Sequence, residues 1–184
     1  SKKALFEKAF KDHYAGLLEY RPNAELKEIS GNVAKLEFED VKADVLNVIP
    51  PQRAGDLARG AGLLNMNNRW VGVNWLTMES TARPFIHVLG DATFSAPLMP
   101  KSGHMANSHA KIAAAAIAGA LSGRGAGPEP KIINTCYSFV SQKEAIRVSS
   151  VHQWDGGQGT LIAVKGSGGV SAARIARLVP EIKA

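Results

Sequence analysis

The sequence predicts an α/β fold, α+β overall, that closes with a small antiparallel β domain. Three observations predict it. Phe85-Ile-His-Val-Leu89 is a short, mostly apolar run, as expected of a strand buried on both faces of a sheet, and it leads through Gly90-Asp91 to an alanine-rich helix. Upstream of it, helical periodicity gives way to short alternating segments. Downstream, past a linker rich in Gly and Pro (123–130), three segments alternate with the period of two of antiparallel strands.

Taken in order, residues 2 to about 19 read as an amphipathic helix, with Leu5, Phe6, Ala9, Phe10 and Leu17 at helical spacing and Gly16 weakening the last turn. Pro22-Asn23 breaks the chain. Glu25–Ile29 and Val33–Phe38 form a hairpin about Ser30-Gly-Asn32. Asp40–Lys42 is a turn, and Ala43–Ile49 is an apolar strand stopped by Pro50-Pro51. A helix, a hairpin and a strand look like the closing third of a Rossmann unit. Gln52–Ala61 holds a short helix ended by Gly60 and Gly62. Residues 63–80 are irregular, with a short strand at Trp70–Val73 and tryptophans that serve packing. After Phe85–Leu89 comes the helix from Ser102 to about Leu121. Ile132–Val140, Glu144–Trp154 and Gly159–Val164 are antiparallel strands with a hairpin turn at Asp155-Gly-Gly157. Ser171–Ile182 reads as a terminal helix.

Composition narrows the function. The 184 residues are 45% hydrophobic, ordinary for a packed core, and no run approaches the length of a membrane span. Net charge is +6 and the pI about 9.6. The cations are nevertheless scattered among Asp and Glu, with no basic run longer than Lys2-Lys3 and no interleaved aromatics, which argues against a nucleic-acid partner. A mildly basic surface suits an anionic substrate or an acidic protein. The single cysteine, Cys136, forms no intrachain disulfide. No Cys/His cluster has metal-ligand spacing, and haem attachment through Cys-x-x-Cys-His is absent. Ser1 opens a charged amphipathic segment without a signal-peptide pattern, which leaves the compartment open.

The candidate site lies around residues 90–105. Gly90-Asp91 falls just past the carboxyl end of the expected strand, where open α/β sheets bind ligands, and an ionised Asp91 accepts hydrogen bonds from hydroxyls. Ser102 is a good N-cap, but Met105 stands where a capping box needs Glu or Gln. The neighbouring side chains are Lys101 and His104, so the free N–H groups from Ser102 to Met105 face no local anion and form an anion site. Among the histidines, His104 is the candidate proton carrier. His87 reads as a hydrogen-bonded core residue, His109 as packing, and His13 and His152 as surface.

Gly90-Asp91-Ala92, Pro100-Lys101-Ser102-Gly103 and Ala106-Asn107-Ser108 resemble the carboxy-terminal flavin signature of flavoproteins with two dinucleotide-binding domains. With Asn47-Val-Ile-Pro-Pro-Gln-Arg-Ala-Gly55 upstream and Asn134-Thr-Cys-Tyr-Ser138 downstream, the chain closely resembles the FAD subunit of flavocytochrome c sulfide dehydrogenase over residues 1 to about 170. Sulfide:quinone oxidoreductases share the pattern less closely. The resemblance implies Rossmann-like segments followed by an antiparallel domain. Residues 1–49 would close the second, NAD-like dinucleotide-binding domain, 50–130 would be the carboxy-terminal part of the FAD-binding domain, and 131–184 an interface domain. It implies FAD as cofactor. Asp91, with Gly90 and Ala92, would hold the ribityl chain. The N–H groups of Ser102, Gly103, His104 and Met105 would face the N1–C2=O edge, Lys101 would add to their field, and Pro51 and Gln52 would line the flavin. A lone cysteine in an apolar strand reads by itself as a small buried hydrophobe. By resemblance Cys136 is half of a redox pair that oxidises sulfide or polysulfide, with a cytochrome c subunit as electron acceptor, in the periplasm.

A flavoprotein of this kind holds the pyrophosphate on Gly-x-Gly-x-x-Gly after its first strand, and no such motif stands in that context here. The chain therefore reads as the carboxy-terminal half of a longer polypeptide: a proteolytic product, a recombinant piece or a separately encoded subunit. It would lack the adenosine half-site and bind flavin weakly alone, and the missing amino-terminal half would be a partner. Two alternatives stand beside this. One is a sulfide:quinone oxidoreductase, disfavoured by a terminal helix too short and charged for a membrane anchor. The other is a non-enzymatic docking or homo-oligomerising module that has lost flavin.

Overall fold

The structure is a computed structural model describing residues 2–174. The chain divides into two compact units, Glu7–Gln52 and Arg53 onward, the residues up to Phe6 clustering with the second.

Helix α1 (Lys2–Tyr14), most of which lies in the first unit, ends earlier than its periodicity predicts. The N–H groups of Leu17 and Leu18 both turn back to Tyr14 O at 3.0 Å. Gly16 takes φ +76°, which stops the helix. Strands β1 (Leu26–Ser30), β2 (Val33–Leu36) and β3 (Asp40–Lys42) form an antiparallel meander. The hairpin is as expected. Asp40–Lys42, expected as a turn, is instead the third strand, with Lys42 opposite Val33. Ala43–Ile49, expected as a strand, is irregular, and Val45 and Ile49 are 83% and 82% exposed. β3 takes the edge of β2 just before this run, and the run joins no ladder.

The second unit begins with α2 (Asp56–Gly60), in the stretch where a short helix was expected. A long irregular segment follows, tied by single bridges: Met66 to Trp70, Val71 to Thr93, Val73 to Ser80 and Glu79 to His87. The expected strand at Trp70–Val73 thus reduces to isolated bridges. The expected buried strand Phe85–Leu89 does not form either. Phe85 takes φ +63° and is 90% exposed, Ile86 and Leu89 are exposed, and only His87 makes a bridge. A strand buried on both faces needs neighbours on both edges. Parallel pairing among the described residues is limited to the Val71–Thr93 bridge.

Helix α3 (Gly103–Leu121) buries Met105, His109, Ala113 and Ala116, which recur at three- and four-residue spacing on one stripe. The core beneath it contains Trp75, Met78, Ala96, Met99, Met105, Ala113, Ile132 and Leu161. A smaller cluster joins Ala54, Leu63 and Val71, with Trp70, Val88 and Ala92 at its margin. Both Trp70 and Trp75 therefore serve packing, as expected.

Strands β4 (Lys131–Phe139), β5 (Glu144–Asp155), β6 (Thr160–Ala163) and β7 (Gly169–Arg174) form the terminal sheet. The first three lie where the alternation places them. The Asp155 turn closes through Gly159 N to Asp155 O (2.8 Å) and Gln158 N to Asp155 Oδ1 (3.0 Å). β5 is central. β4 covers one edge, while β6 and β7 share the other, β6 at His152–Asp155 and β7 at Glu144–Ser149. Residues 171–174, predicted as the start of a helix, are thus part of a strand; the rest of that expected helix lies outside the described residues. On β4 the burial alternates, with Ile132 and Asn134 buried and Ile133 and Phe139 exposed, so one sheet face packs inward.

Gly168 lies where the chain passes from β6 to β7 along β5. A Cβ built there would sit 2.3 Å from Ser149 O and 2.8 Å from Ser150 Cα. Both are backbone atoms of the central strand and have no room to move. Gly168→Ala is expected to destabilise the protein by about 1–3 kcal/mol, as overpacking does, seen as a lower urea midpoint with an unchanged m-value.

Candidate functional site

The site residues from 90 onward meet at the amino-terminal end of α3. Ser102 is the N-cap: its Oγ accepts from Met105 N at 3.1 Å, and its backbone is extended (φ −162°). Ala106 N bonds Ser102 O. The N–H groups of Gly103 and His104 then have no partner among the described residues, and the first turn contains no acidic residue. The open helix start read from the sequence is therefore present.

Gly90–Ala92 forms a single 3-10 turn. Gly90 takes φ +66°, and a Cβ there would meet Ala106 Cβ at 3.1 Å, so the turn rests on the first turns of α3. Thr93 Oγ1 donates to Gly90 O at 2.8 Å. Lys101 does not project freely. Its Nζ donates to Asp91 O (2.9 Å) and to Thr93 O, and lies 3.9 Å from the Trp70 ring centroid. Burial holds the Lys101 ammonium below its usual pKa, with Asp91 acting the other way. The Asp91 side chain is exposed.

Cys136 enters from β4. It is half-buried, and its Sγ donates to Asn134 Oδ1 at 3.5 Å. The same oxygen accepts from Ser102 Oγ at 2.6 Å. Thr135 N donates to His104 Nδ1 at 3.1 Å, which leaves the His104 proton on Nε2. His104 also lines a cleft of about 560 Å³ with Asn107, Lys111, Pro130, Lys131 and Ile133. The structure thus seats the Gly90–Ala92 turn against Lys101 and the first turns of α3, and joins Cys136 to Ser102 through Asn134. Pro51 and Gln52 belong to the other unit, where both are exposed and Gln52 Nε2 donates to Pro50 O.

Asn134 carries the connection, and sequence reasoning gave it no role. The available signal was its position two residues before Cys136, on the same strand face. His87 is half-buried, its Nδ1 2.9 Å from Thr77 O, so the expected hydrogen bond is there without full burial. His152, expected on the surface, is fully buried. It lies between Ile132 of β4 and Ala163 of β6 on the inward face of the sheet, a register the sequence did not reveal. Its ring nitrogens make no hydrogen bond of good geometry among the described residues, although the backbone of Pro97 and Leu98 lies near them. Burial lowers its pKa, partly opposed by the peptide groups of Leu98 and Pro97. His109 packs edge-on against Trp75, as expected of a packing residue, and in addition accepts Gly90 N–H at Nδ1, 3.1 Å away. No group of three His, Cys, Asp or Glu among the described residues has the geometry to hold a metal.

Residues 128–181 match the family model described as flavocytochrome c sulphide dehydrogenase, flavin-binding. Over that segment the chain is similar to the flavin-binding part of a flavocytochrome c sulphide dehydrogenase flavoprotein. FAD is the cofactor this family implies. The residues present fit its flavin side. Two unpartnered N–H donors without a nearby carboxylate suit the electron-rich N1–C2=O edge, and an exposed acceptor beside them suits ribityl hydroxyls. The matched segment contains Asn134 and Cys136, while the turn and the helix start lie before it.

Replacing Asn134 by alanine leaves Ser102 Oγ and Cys136 Sγ without their common acceptor, and is expected to cost about 1–3 kcal/mol in urea denaturation. A second expectation concerns pH. Burial, reinforced by Lys101 and opposed by Asp91, lowers the His109 pKa to about 4. Because the folded value lies below the unfolded value near 6.5, the unfolded chain binds more protons between the two. The stability this residue contributes is fully present above pH 6.5 and is lost as pH falls toward 4, by about 3 kcal/mol. Urea titrations across that range check it, and substituting His109 by asparagine, which does not titrate, should flatten the slope.

Proposed function

We propose that this chain is the sulfide-oxidising part of an FAD-dependent sulfide dehydrogenase that delivers electrons to a cytochrome c subunit. The observation that carries the reading is the hydrogen-bonded line from the Cys136 thiol through Asn134 to Ser102 at the open start of α3. It ties a nucleophilic sulfur to the donors suited to a flavin.

In this reading Cys136 and a cysteine from outside the chain form a disulfide. Hydrosulfide attacks one sulfur, the S–S bond breaks, the other sulfur leaves as thiolate, and a persulfide remains. Asn134 keeps the Cys136 sulfur pointed at the helix start. Bound FAD supplies a two-electron acceptor. Asp91 accepts from the ribityl hydroxyls, and the N–H groups of Gly103 and His104 stabilise negative charge at the flavin's N1–C2=O edge. His104, with its proton on Nε2, is placed to exchange protons with solvent. The net charge of +6 attracts hydrosulfide and an acidic cytochrome surface alike. The chain's one cysteine precludes a Cys-x-x-Cys-His haem site, so haem belongs to the partner. The periplasm is the compartment we assign, by family resemblance.

The adenosine half of the FAD site is assigned to a segment outside these residues. No Gly-x-Gly-x-x-Gly follows a strand here. No helix among the described residues is long and apolar enough to cross a membrane.

The test is sulfide-dependent reduction of cytochrome c by the flavin-loaded protein. Cys136→Ser is expected to keep the yellow colour and lose activity by roughly 10³-fold or more. Undiminished turnover in that variant would remove Cys136 from the reaction. Asp91→Ala is expected to weaken FAD binding by about 10- to 100-fold, measured by flavin fluorescence.

A further inference from the structure

We propose that His109 is a positioning residue for the flavin side of the site, fixing the Gly90–Asp91–Ala92 turn by accepting the Gly90 N–H at Nδ1. The proposal rests on the reading that Asp91 faces the flavin.

The backbone around Asp91 has no strand ladder to hold it, since Phe85–Leu89 is not paired as a strand. Side chains do this instead. Gly90 N–H goes to His109, Gly90 O receives Thr93 Oγ1 and Thr93 N, and Asp91 O and Thr93 O both receive Lys101 Nζ. Below the turn, a Cβ on Gly90 would press on Ala106 Cβ at 3.1 Å, and the φ of +66° disfavours one in any case. His109 lies one helical turn after Ala106 on α3, so the same helix supplies the floor and the anchor. With its backbone tied, the turn leaves the Asp91 carboxylate as the group directed outward.

The choice of histidine is otherwise costly. The ring is 2% exposed in an alanine-rich helix, and its Nε2 is buried with no partner among the described residues. An apolar side chain would pack there without that penalty. The bond requires Nδ1 unprotonated. Burial and the nearby Lys101 favour that state, and Asp91 opposes it. The Trp75 ring, at 5.3 Å between centroids, limits rotation, so the acceptor stays aimed at Gly90.

Two amide substitutions separate positioning from mere packing. In His109→Asn the side-chain oxygen falls near the place of Nδ1; in His109→Gln it falls near Nε2. Amide hydrogen exchange is followed by NMR on the full 184-residue chain, with β4 amides as the internal stability reference. Asparagine is expected to keep Gly90 exchange within about 3-fold of the parent, whereas glutamine raises it by about 10-fold or more while β4 exchange is unmoved. In the flavin-loaded protein the same order is expected for FAD affinity, glutamine weaker than asparagine. Equal Gly90 exchange in the two variants overturns the proposal. Failure of Asp91→Ala to alter FAD affinity overturns the flavin reading instead, and leaves the His109–Gly90 bond to be judged by exchange alone.

Discussion

One side-chain oxygen, Oδ1 of Asn134, accepts from the hydroxyl that caps α3 and from the thiol on β4. Asn134 is 2% exposed, so water offers little replacement for either bond. If the amide were lost, the cap of a 19-residue helix and the direction of the thiol would loosen together. Hydrogen bonds that share a buried acceptor are coupled in this way, and the site depends on the coupling. Thr135 N to His104 Nδ1 adds a second link between the same two elements, through the neighbouring residue of the strand.

The sheet face beneath α3 is more polar than a core needs to be. Ile132 lies opposite His152, Asn134 opposite Ser150, and Cys136 opposite Val148. Ser150 Oγ and His109 Nε2 are buried without hydrogen-bond partners among the described residues. Each such group costs about 1–3 kcal/mol where an apolar side chain would cost nothing. The apolar surround of Met105, Ala113, Ile132 and Leu161 repays part of this and excludes water, so the few hydrogen bonds that do form are worth more. His109 follows the same logic from the helix side, with one nitrogen bonded to the turn and the other unused.

The two halves of the candidate site have different origins in the chain. Cys136 and Asn134 lie within the segment that matches the family model, residues 128–181. The Gly90–Ala92 turn lies before it and is held by Lys101 and, on α3, by His109 and Ala106 rather than by a sheet. Helix α3 is the common support: its start receives Asn134, its first turns seat Gly90, and its inward stripe packs on Ile132 and Leu161.

By itself the sequence determined the features set by local chemistry. The Ser102 cap, the open first turn of α3, the β1–β2 hairpin and the three strands from Lys131 to Ala163 follow from capping, turn residues and period, and each formed as read. A likeness to flavocytochrome c sulphide dehydrogenase was legible too, and the family model bears it out over residues 128–181. Only the tertiary structure decided what depends on neighbours. An apolar run becomes a strand only if a free edge is there to pair with, so Ala43–Ile49 and Phe85–Leu89 stayed irregular while Asp40–Lys42 and Gly169–Arg174 found edges to join. Register turned His152 inward and set Asn134 beneath Ser102. Gly90 and His109 meet across 19 positions because the loop folds back onto the helix, and no local pattern encodes that return.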